Sequence, residues 1–221
     1  MNYKIIEDEK ALNQFIDWLP ELQENETYYL SLFARKKYFK KLIKSNDKTQ
    51  LKRFTCNKEM MIEKIRQLEV QLGSYQLKET KAPQESLVLY IHPNPRNMQK
   101  ATFKLLRKCT DLIESNASGF NLQAEALSAI QKSKSKSHFV DFDIDDKDVD
   151  LTPLKTILPK NAYEILETRG GYHILVKPQI APKTKWHQQI INAFDVDVSG
   201  DQMIPVQGCV QGGFVPRFIK I

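Results

Sequence analysis

The stretch Phe139-Val140-Asp141-Phe142-Asp143-Ile144 constrains this chain more than any other. Its β-branched and aromatic residues favour a strand, and on a strand successive side chains point to opposite faces. Val140, Phe142 and Ile144 then enter a core. Asp141 and Asp143 share the other face, with Cα atoms about 6.6 Å apart. Two carboxylates on an otherwise apolar strand are costly unless something cationic satisfies them. Hard divalent ions such as Mg²⁺ or Mn²⁺ suit that position, since they take oxygen ligands and tolerate phosphate oxygens. Two such ions about 3.5–4 Å apart are a common arrangement for phosphoryl transfer. The plainer reading, an exposed acidic strand end capping the next helix, suffices for Asp145, Asp146, Asp148 and Asp150. The apolar flanks favour metal ligation for Asp141 and Asp143.

The rest of the chain bounds the setting. Its 221 residues suit one sizeable domain or two small lobes sharing a core. Three cysteines, Cys56, Cys109 and Cys209, lie far apart. They exclude a disulfide scaffold and a Cys-only zinc site, and they fit a reducing compartment. No apolar run approaches about 18 residues, so no membrane span is expected. The opening MNYKIIEDEK is mixed and acidic, unlike a secretory signal. The expectation is a cytoplasmic protein.

Lys plus Arg is 33 against 27 Asp plus Glu, a net +6, and the layout of that charge matters more than its sum. Residues 31–60 carry ten Lys or Arg and two acids, with Tyr38, Phe39 and Phe54 interleaved. Such a basic segment, 35–58, suits a phosphate backbone and offers stacking faces. Taken by itself it reads more simply as a solvated face whose aromatics point inward.

Apolar spacing predicts a short strand and a helix over 3–18, a strand from 28 into the basic segment, and a helix over 57–72 stopped by Gly73. Residues 78–86 read as a loop, 86–93 as a buried strand, and 97–115 as an amphipathic helix burying Ala101, Leu105, Cys109, Leu112 and Ile113. A second helix over 121–131 leads to a flexible basic connector at 132–137. Asp150 or Thr152 is placed to cap a short helix with Pro153 in its first turn. Residues 161–178 read as two strands joined at Arg169-Gly170-Gly171, and 184–194 as a helix. Trp18 and Trp186 fall on helices, as core residues.

Two further clusters carry chemistry. In Thr168-Arg169-Gly170-Gly171-Tyr172-His173, the glycines let backbone approach a phosphate, and Thr168, Arg169 and His173 are donors. Period-two alternation puts His173 on the same face as Gly171 and Leu175. Alone, this reads as a hairpin turn with a half-buried histidine. Phe194-Asp195-Val196-Asp197-Val198-Ser199-Gly200-Asp201 offers another carboxylate, and alone it is an acidic turn.

In this order and spacing the three clusters resemble the archaeo-eukaryotic primase superfamily, the primase-polymerase group. Asp141 and Asp143 match its Asp-x-Asp/Glu strand. Gly171-Tyr172-His173 matches its small-residue, any-residue, His motif, and Val196-Asp197 its apolar-acid motif. Ile204-Pro205-Val206-Gln207-Gly208 departs partly from the Pro-Gly segment that often follows, so Asp197 is the first choice for the third acid, Asp201 the second and Asp195 the third. The resemblance covers roughly residues 137–215.

It implies an α+β fold. An RRM-like catalytic lobe, 137–221, would join an N-terminal α/β lobe, 1–136, in one compact domain with the active site in the cleft between. It also implies a template-dependent nucleotidyltransferase, a DNA primase or primase-polymerase. Asp141, Asp143 and Asp197 would hold two Mg²⁺ or Mn²⁺ ions. Thr168, Arg169, Gly171 and His173 would hold the phosphates of an NTP or dNTP. A DNA or RNA template and primer would be the macromolecular partner, with 35–58 as a track for template phosphates. Any helicase or other replication protein would come as a separate partner. Arg96 and Arg217 are further phosphate-binding candidates, with a surface role as the alternative. His92, His138 and His187 lack Cys partners at zinc spacing, so no zinc is expected. The competing classes are a non-catalytic nucleic-acid-binding module and a metal-dependent nuclease or replication initiator. For the initiator, Tyr172-His173 lacks a second histidine.

Overall fold

Seven consecutive positions, Tyr28 to Ala34, are buried, so their strand is covered on both faces. In the computed structural model, which describes residues 1–39, 48–77, 80–183, 185–197 and 201–221, that strand is the centre of the first of two main antiparallel sheets. In chain order the elements are α1 (Glu9–Trp18), β1 (Glu26–Arg35), β2 (Lys48–Cys56), α2 (Met61–Arg66), β3 (Gln76–Leu77) and β4 (Thr80–Lys81). Next come β5 (Leu87–Ile91), β6 (Arg96–Asn97), α3 (Met98–Glu114), α4 (Leu122–Gln131), β7 (Val140–Ile144) and α5 (Leu154–Ile157). The last are β8 (Tyr163–Glu167), β9 (Tyr172–Val176), α6 (Trp186–Ala193), β10 (Ile204–Pro205) and β11 (Arg217–Ile219).

The first sheet has the order β10-β5-β1-β2, with β6 also paired to β1. The second has the order β11-β8-β9-β7. The fold is therefore α+β. The expected boundary near 136 separates the sheets only as far as α6. Beyond it, β10 joins the first sheet and β11 the second.

The strand alternation expected for β7 and β9 holds. Phe142, Ile144, Ile174 and Val176 form one core with Leu154 and Ile190 from the helices behind the sheet. Leu166 and Leu175, on the opposite face, belong to the large core of the first sheet. Trp18 closes this seam, stacked on Phe139 at 4.6 Å between ring centroids and tilted against Phe218 at 4.8 Å. The second sheet is thus sandwiched, and its Asp141–His173 face looks at the first sheet.

Several local expectations differ. The helix expected over 57–72 spans only Met61–Arg66. Met61, Ile65 and Leu68 are still buried and Leu72 is exposed, because the chain beyond the helix is drawn out to pair with the N-terminus: Tyr3 N–H donates to Val70 O (2.8 Å) and Leu72 N–H to Met1 O (3.0 Å). The 78–86 loop holds β4 and a 3₁₀ turn at Gln84–Ser86, with residues 78–79 outside the described residues. The 132–137 connector is pinned, not flexible. Asn97 N–H donates to Ser133 O (2.7 Å), Ser135 N–H donates to Pro95 O (2.9 Å), and Ser133 is buried. On α3 only Ala101 is fully buried, and Ile113 is exposed. The three cysteines are free thiols.

Candidate active site

β7 and β9 pair so that Asp143 lies opposite His173, and Asp141 opposite Leu175. Directly opposed residues of an antiparallel pair project to the same face. On the other side of β7 the chain after α6 adds a single bridge. Asp143 N–H donates to Asp197 O at 3.2 Å, and Asp197 N–H donates to Asp143 O at 2.9 Å. Asp141, Asp143, His173 and Asp197 therefore share one face of neighbouring strands.

Their environments differ. Asp141 is buried and accepts from His173 Nδ1, which lies 3.1 and 3.0 Å from its two oxygens. His173 Nε2 is 3.7 Å from Asp143 Oδ1. Burial works against a charged imidazole at His173. The Asp141 carboxylate, with Asp143 and Asp145, outweighs it and holds the ring up at about 9, so it is cationic at neutral pH. Asp143 is raised above the ordinary aspartate range, first by desolvation. The His173 and Lys37 charges pull it down, and Asp141 and Asp145 push it up. Asp197 is exposed.

Asp143 and His173 line a cleft of about 140 Å³ between the two sheets. Asp145, Thr168 and Gly170 complete the wall from the second sheet, while Arg35, Lys37, Lys48, Tyr38 and Tyr90 come from the first. One wall is acidic and the other cationic. Lys37 and Asp145 face each other across it at 3.7 Å. Lys48 Nζ lies 4.5 Å from the Phe33 ring centre and 5.0 Å from that of Tyr90, so part of the cationic wall rests on aromatic faces.

The glycine motif takes a different part from the one expected. A Cβ on Gly171 would sit 1.8 Å from Ile144 O and 2.9 Å from Asp146 N, so this glycine lets the β8–β9 turn pack on the end of the acidic strand. Gly170 instead borders the cleft. Thr168 Oγ1 is spent within the turn, accepting from Gly171 N–H at 3.2 Å. Arg169 does not line the cleft. Its guanidinium stacks on Tyr38 at 4.9 Å and donates to Gly212 O, while its N–H donates to Gln211 Oε1 at 2.8 Å. Gln211 Nε2 donates to Tyr38 Oη at 3.0 Å, completing a latch between the sheets that no sequence motif marked.

The remaining acids separate clearly. Asp195 is exposed. Asp201 accepts a two-pronged pair from Arg96, with Nη1–Oδ2 2.7 Å and Nη2–Oδ1 2.9 Å. Arg96 is wholly buried, so neither the surface nor the phosphate role describes it, and Asp201 is engaged away from the acidic face. Arg217 is exposed and pairs with Glu167. Of the basic segment 35–58, residues 40–47 lie outside the described residues. The cationic wall of Arg35, Lys37 and Lys48 was foreshadowed only by that segment's charge density.

The donor set fits a hard divalent ion in its chemistry: all-oxygen carboxylates on one face, one of them partly desolvated. Among the described residues, no three His, Cys, Asp or Glu groups converge closely enough to hold an ion as they stand, since Asp141 is turned to His173. Among them, too, no helix is long and apolar enough to cross a membrane. Comparisons with protein-family models, with curated proteins and with solved structures find no match to this chain.

Proposed function

We propose that this chain is a template-dependent nucleotidyltransferase of the primase-polymerase kind, with the RRM-like sheet β7–β9–β8–β11 as its catalytic floor. The observation that carries the reading is the juxtaposition of Asp143, Asp197 and the His173–Asp141 pair on one face, of which Asp143 and His173 line a cleft with a cationic opposite wall. Asp143 and Asp197, with Asp141 behind them, would hold Mg²⁺ or Mn²⁺. Such an ion polarises phosphate oxygens and lowers the pKa of the attacking hydroxyl. The protein's own groups do the rest. Asp141 fixes the orientation of His173 and keeps it protonated, so that Nε2–H is a charged donor for a triphosphate oxygen. Lys48 and Arg35 neutralise the other side of the same phosphates, and Tyr38 and Tyr90 offer faces for a base or sugar. Substrates would be an NTP or dNTP and a primed or unprimed strand. A separate helicase or replication protein would supply unwinding.

The test is incorporation of labelled nucleotides on a template with Mn²⁺ or Mg²⁺, read on a gel. Asp141→Ala combined with Asp143→Ala should abolish extension while the thermal melt stays cooperative. Undiminished extension by that variant ends the proposal. A non-catalytic nucleic-acid-binding module is the second reading, favoured by the lack of a converged carboxylate cluster among the described residues. It predicts salt-dependent strand binding by wild type with no extension in either metal.

A further inference from the structure

The first sheet carries a second groove that opens onto the same face as the cleft. Pairing across β1 and β2 sets Lys48 opposite Arg35, Gln50 opposite Phe33 and Arg53 opposite Ser31, so Lys48, Gln50 and Arg53 lie along one face of β2 despite the bulge between Gln50 and Lys52. Lys48 borders the catalytic cleft. Two residues further on, Gln50 begins a groove of about 280 Å³ between β2 and the start of α4, walled by Lys52, Arg53, Asn121 and Gln123 and floored by Leu127. Arg53 fixes the far wall by donating to Ser128 Oγ (3.1 Å) and Ala124 O (2.9 Å) of α4. Among the described residues, no Asp or Glu lines this groove. None lines the adjoining hollow of about 400 Å³ on the other side of β2, which Lys52 and Arg53 share with Lys64, Phe54 and Tyr75. β2 is the outer strand of its sheet, and Lys52 is exposed at the point where the two grooves meet.

We infer that single-stranded nucleic acid runs along β2, from the cleft at Lys48 to the α4 wall about 15 Å away. This rests on the nucleotidyltransferase reading for the end at Lys48, but it makes a separate claim about route. A carboxylate-free groove with cations spaced along a strand tracks a polyanion, and its amide groups and apolar floor accept bases without selecting among them. Lys52, opposite Leu32 and so on the other face of this edge strand, lines both grooves and is the cation a strand passing along the edge would meet. It is solvated, so its reversal changes the surface and not the packing.

The experiment is fluorescence anisotropy with a short labelled oligothymidylate, titrated over a range of salt. It compares wild type, Lys52→Glu, Lys52→Arg and Lys155→Glu. Lys155, exposed on α5, gives the same change in net charge at a remote place. Lys52→Glu should weaken binding about tenfold and flatten the plot of log affinity against log salt by about 0.7. Lys52→Arg and Lys155→Glu should match wild type. Wild-type affinity in Lys52→Glu overturns the route, as does an equal loss in Lys155→Glu. Competition by polyglutamate as strong as that by unlabelled oligonucleotide also overturns it, because an acidic peptide would then be the occupant. The two proposals fail separately. Primer extension by wild type with normal strand binding by Lys52→Glu removes the route alone. Weakened binding in Lys52→Glu with full extension by the Asp141/Asp143 double variant removes the polymerase reading alone.

Discussion

Replacing Asp201 by asparagine should be among the most damaging single-atom changes this chain can suffer, although Asp201 lies off the Asp141–His173 face. Arg96 is completely shielded from water, and its two Nη atoms reach the Asp201 oxygens at 2.7 and 2.9 Å. The carboxylate keeps a side-chain exposure of 28%, so the pair sits at the edge of the interior. At an effective dielectric of about 20, two unit charges about 4 Å apart attract by about 4 kcal/mol. Removing one partner leaves a buried guanidinium uncompensated, which costs roughly 3–5 kcal/mol, and an asparagine oxygen still accepts one bond, so about 3 kcal/mol is expected. With an m-value of about 2 kcal/mol per molar urea, the unfolding midpoint should fall by about 1.5 M. Arg96→Met should cost a similar amount. The double variant should cost about 2 kcal/mol less than the sum, because neither charge is then stranded. The strand-side consequence is specific. Gln202, next to Asp201, donates to Asp197 O at 3.2 Å, so under the proposed function loosening this pair should also weaken primer extension through Asp197. A midpoint shift under 0.5 M, or strictly additive costs, would refute the argument that this ion pair is a structural anchor.

Gly171→Ala places a methyl 1.8 Å from Ile144 O, so it should lower stability by at least about 2 kcal/mol and abolish extension by displacing β7; Gly170→Ala meets only a side-chain oxygen at 3.3 Å and should melt within a degree or two of wild type. His92 is pushed down to about 3 by burial and then by the Arg96 charge, so it is neutral when folded and titrates near 6.5 when unfolded. Its contribution is fully present above pH 6.5 and is lost as pH falls toward 3, amounting to about 2 kcal/mol between pH 7.5 and 5. Urea midpoints at those two pH values should draw closer together in His92→Gln; an unchanged gap would show that other groups carry the acid sensitivity.

The parts of this fold that were legible are those whose signal is local. The alternation in β7 is readable because a period of two leaves no second way to bury Phe142 and Ile144, and the Gly-Gly turn marks β8–β9 by its own chemistry. Pairing between distant segments left no such trace. Arg96–Asp201 joins residues far apart in sequence, and nothing around either announces the other. The Gln211–Tyr38–Arg169 latch is assembled from three separate loops. Helical periodicity over 57–72 was genuine as a burial pattern, yet the backbone of that stretch was claimed by the N-terminal segment, so a turn-rich path buries Met61, Ile65 and Leu68 without a long helix. The face assigned to α3 failed differently. Leu105, Cys109 and Leu112 are only half-buried, with α4 the main neighbour of α3.

The position of the acids follows from the sandwiching of the second sheet. Leu166 and Leu175 commit one face to the first sheet's core, and Asp141 and Asp143, on the same face, are drawn into the seam with them. Burial there opposes ionisation, and the fold answers it only in part. His173 takes both oxygens of Asp141, whereas Asp143 has the imidazole Nε2 at 3.7 Å and remains raised. A seam that pairs one carboxylate closely and leaves its neighbour raised favours arrival of further positive charge. Among the described residues of the opposite wall, Lys37 reaches Asp145, and Lys48 rests on the Phe33 and Tyr90 rings. A mobile divalent cation and the phosphates that bridge it to that wall would complete the electrostatics of both sides at once. Under the proposed function, removing Asp143 should relieve the cost of burying its charge while removing nucleotide incorporation. Asp143→Asn should therefore unfold at slightly higher urea than wild type, and a clear loss of stability would mean the seam already satisfies that carboxylate.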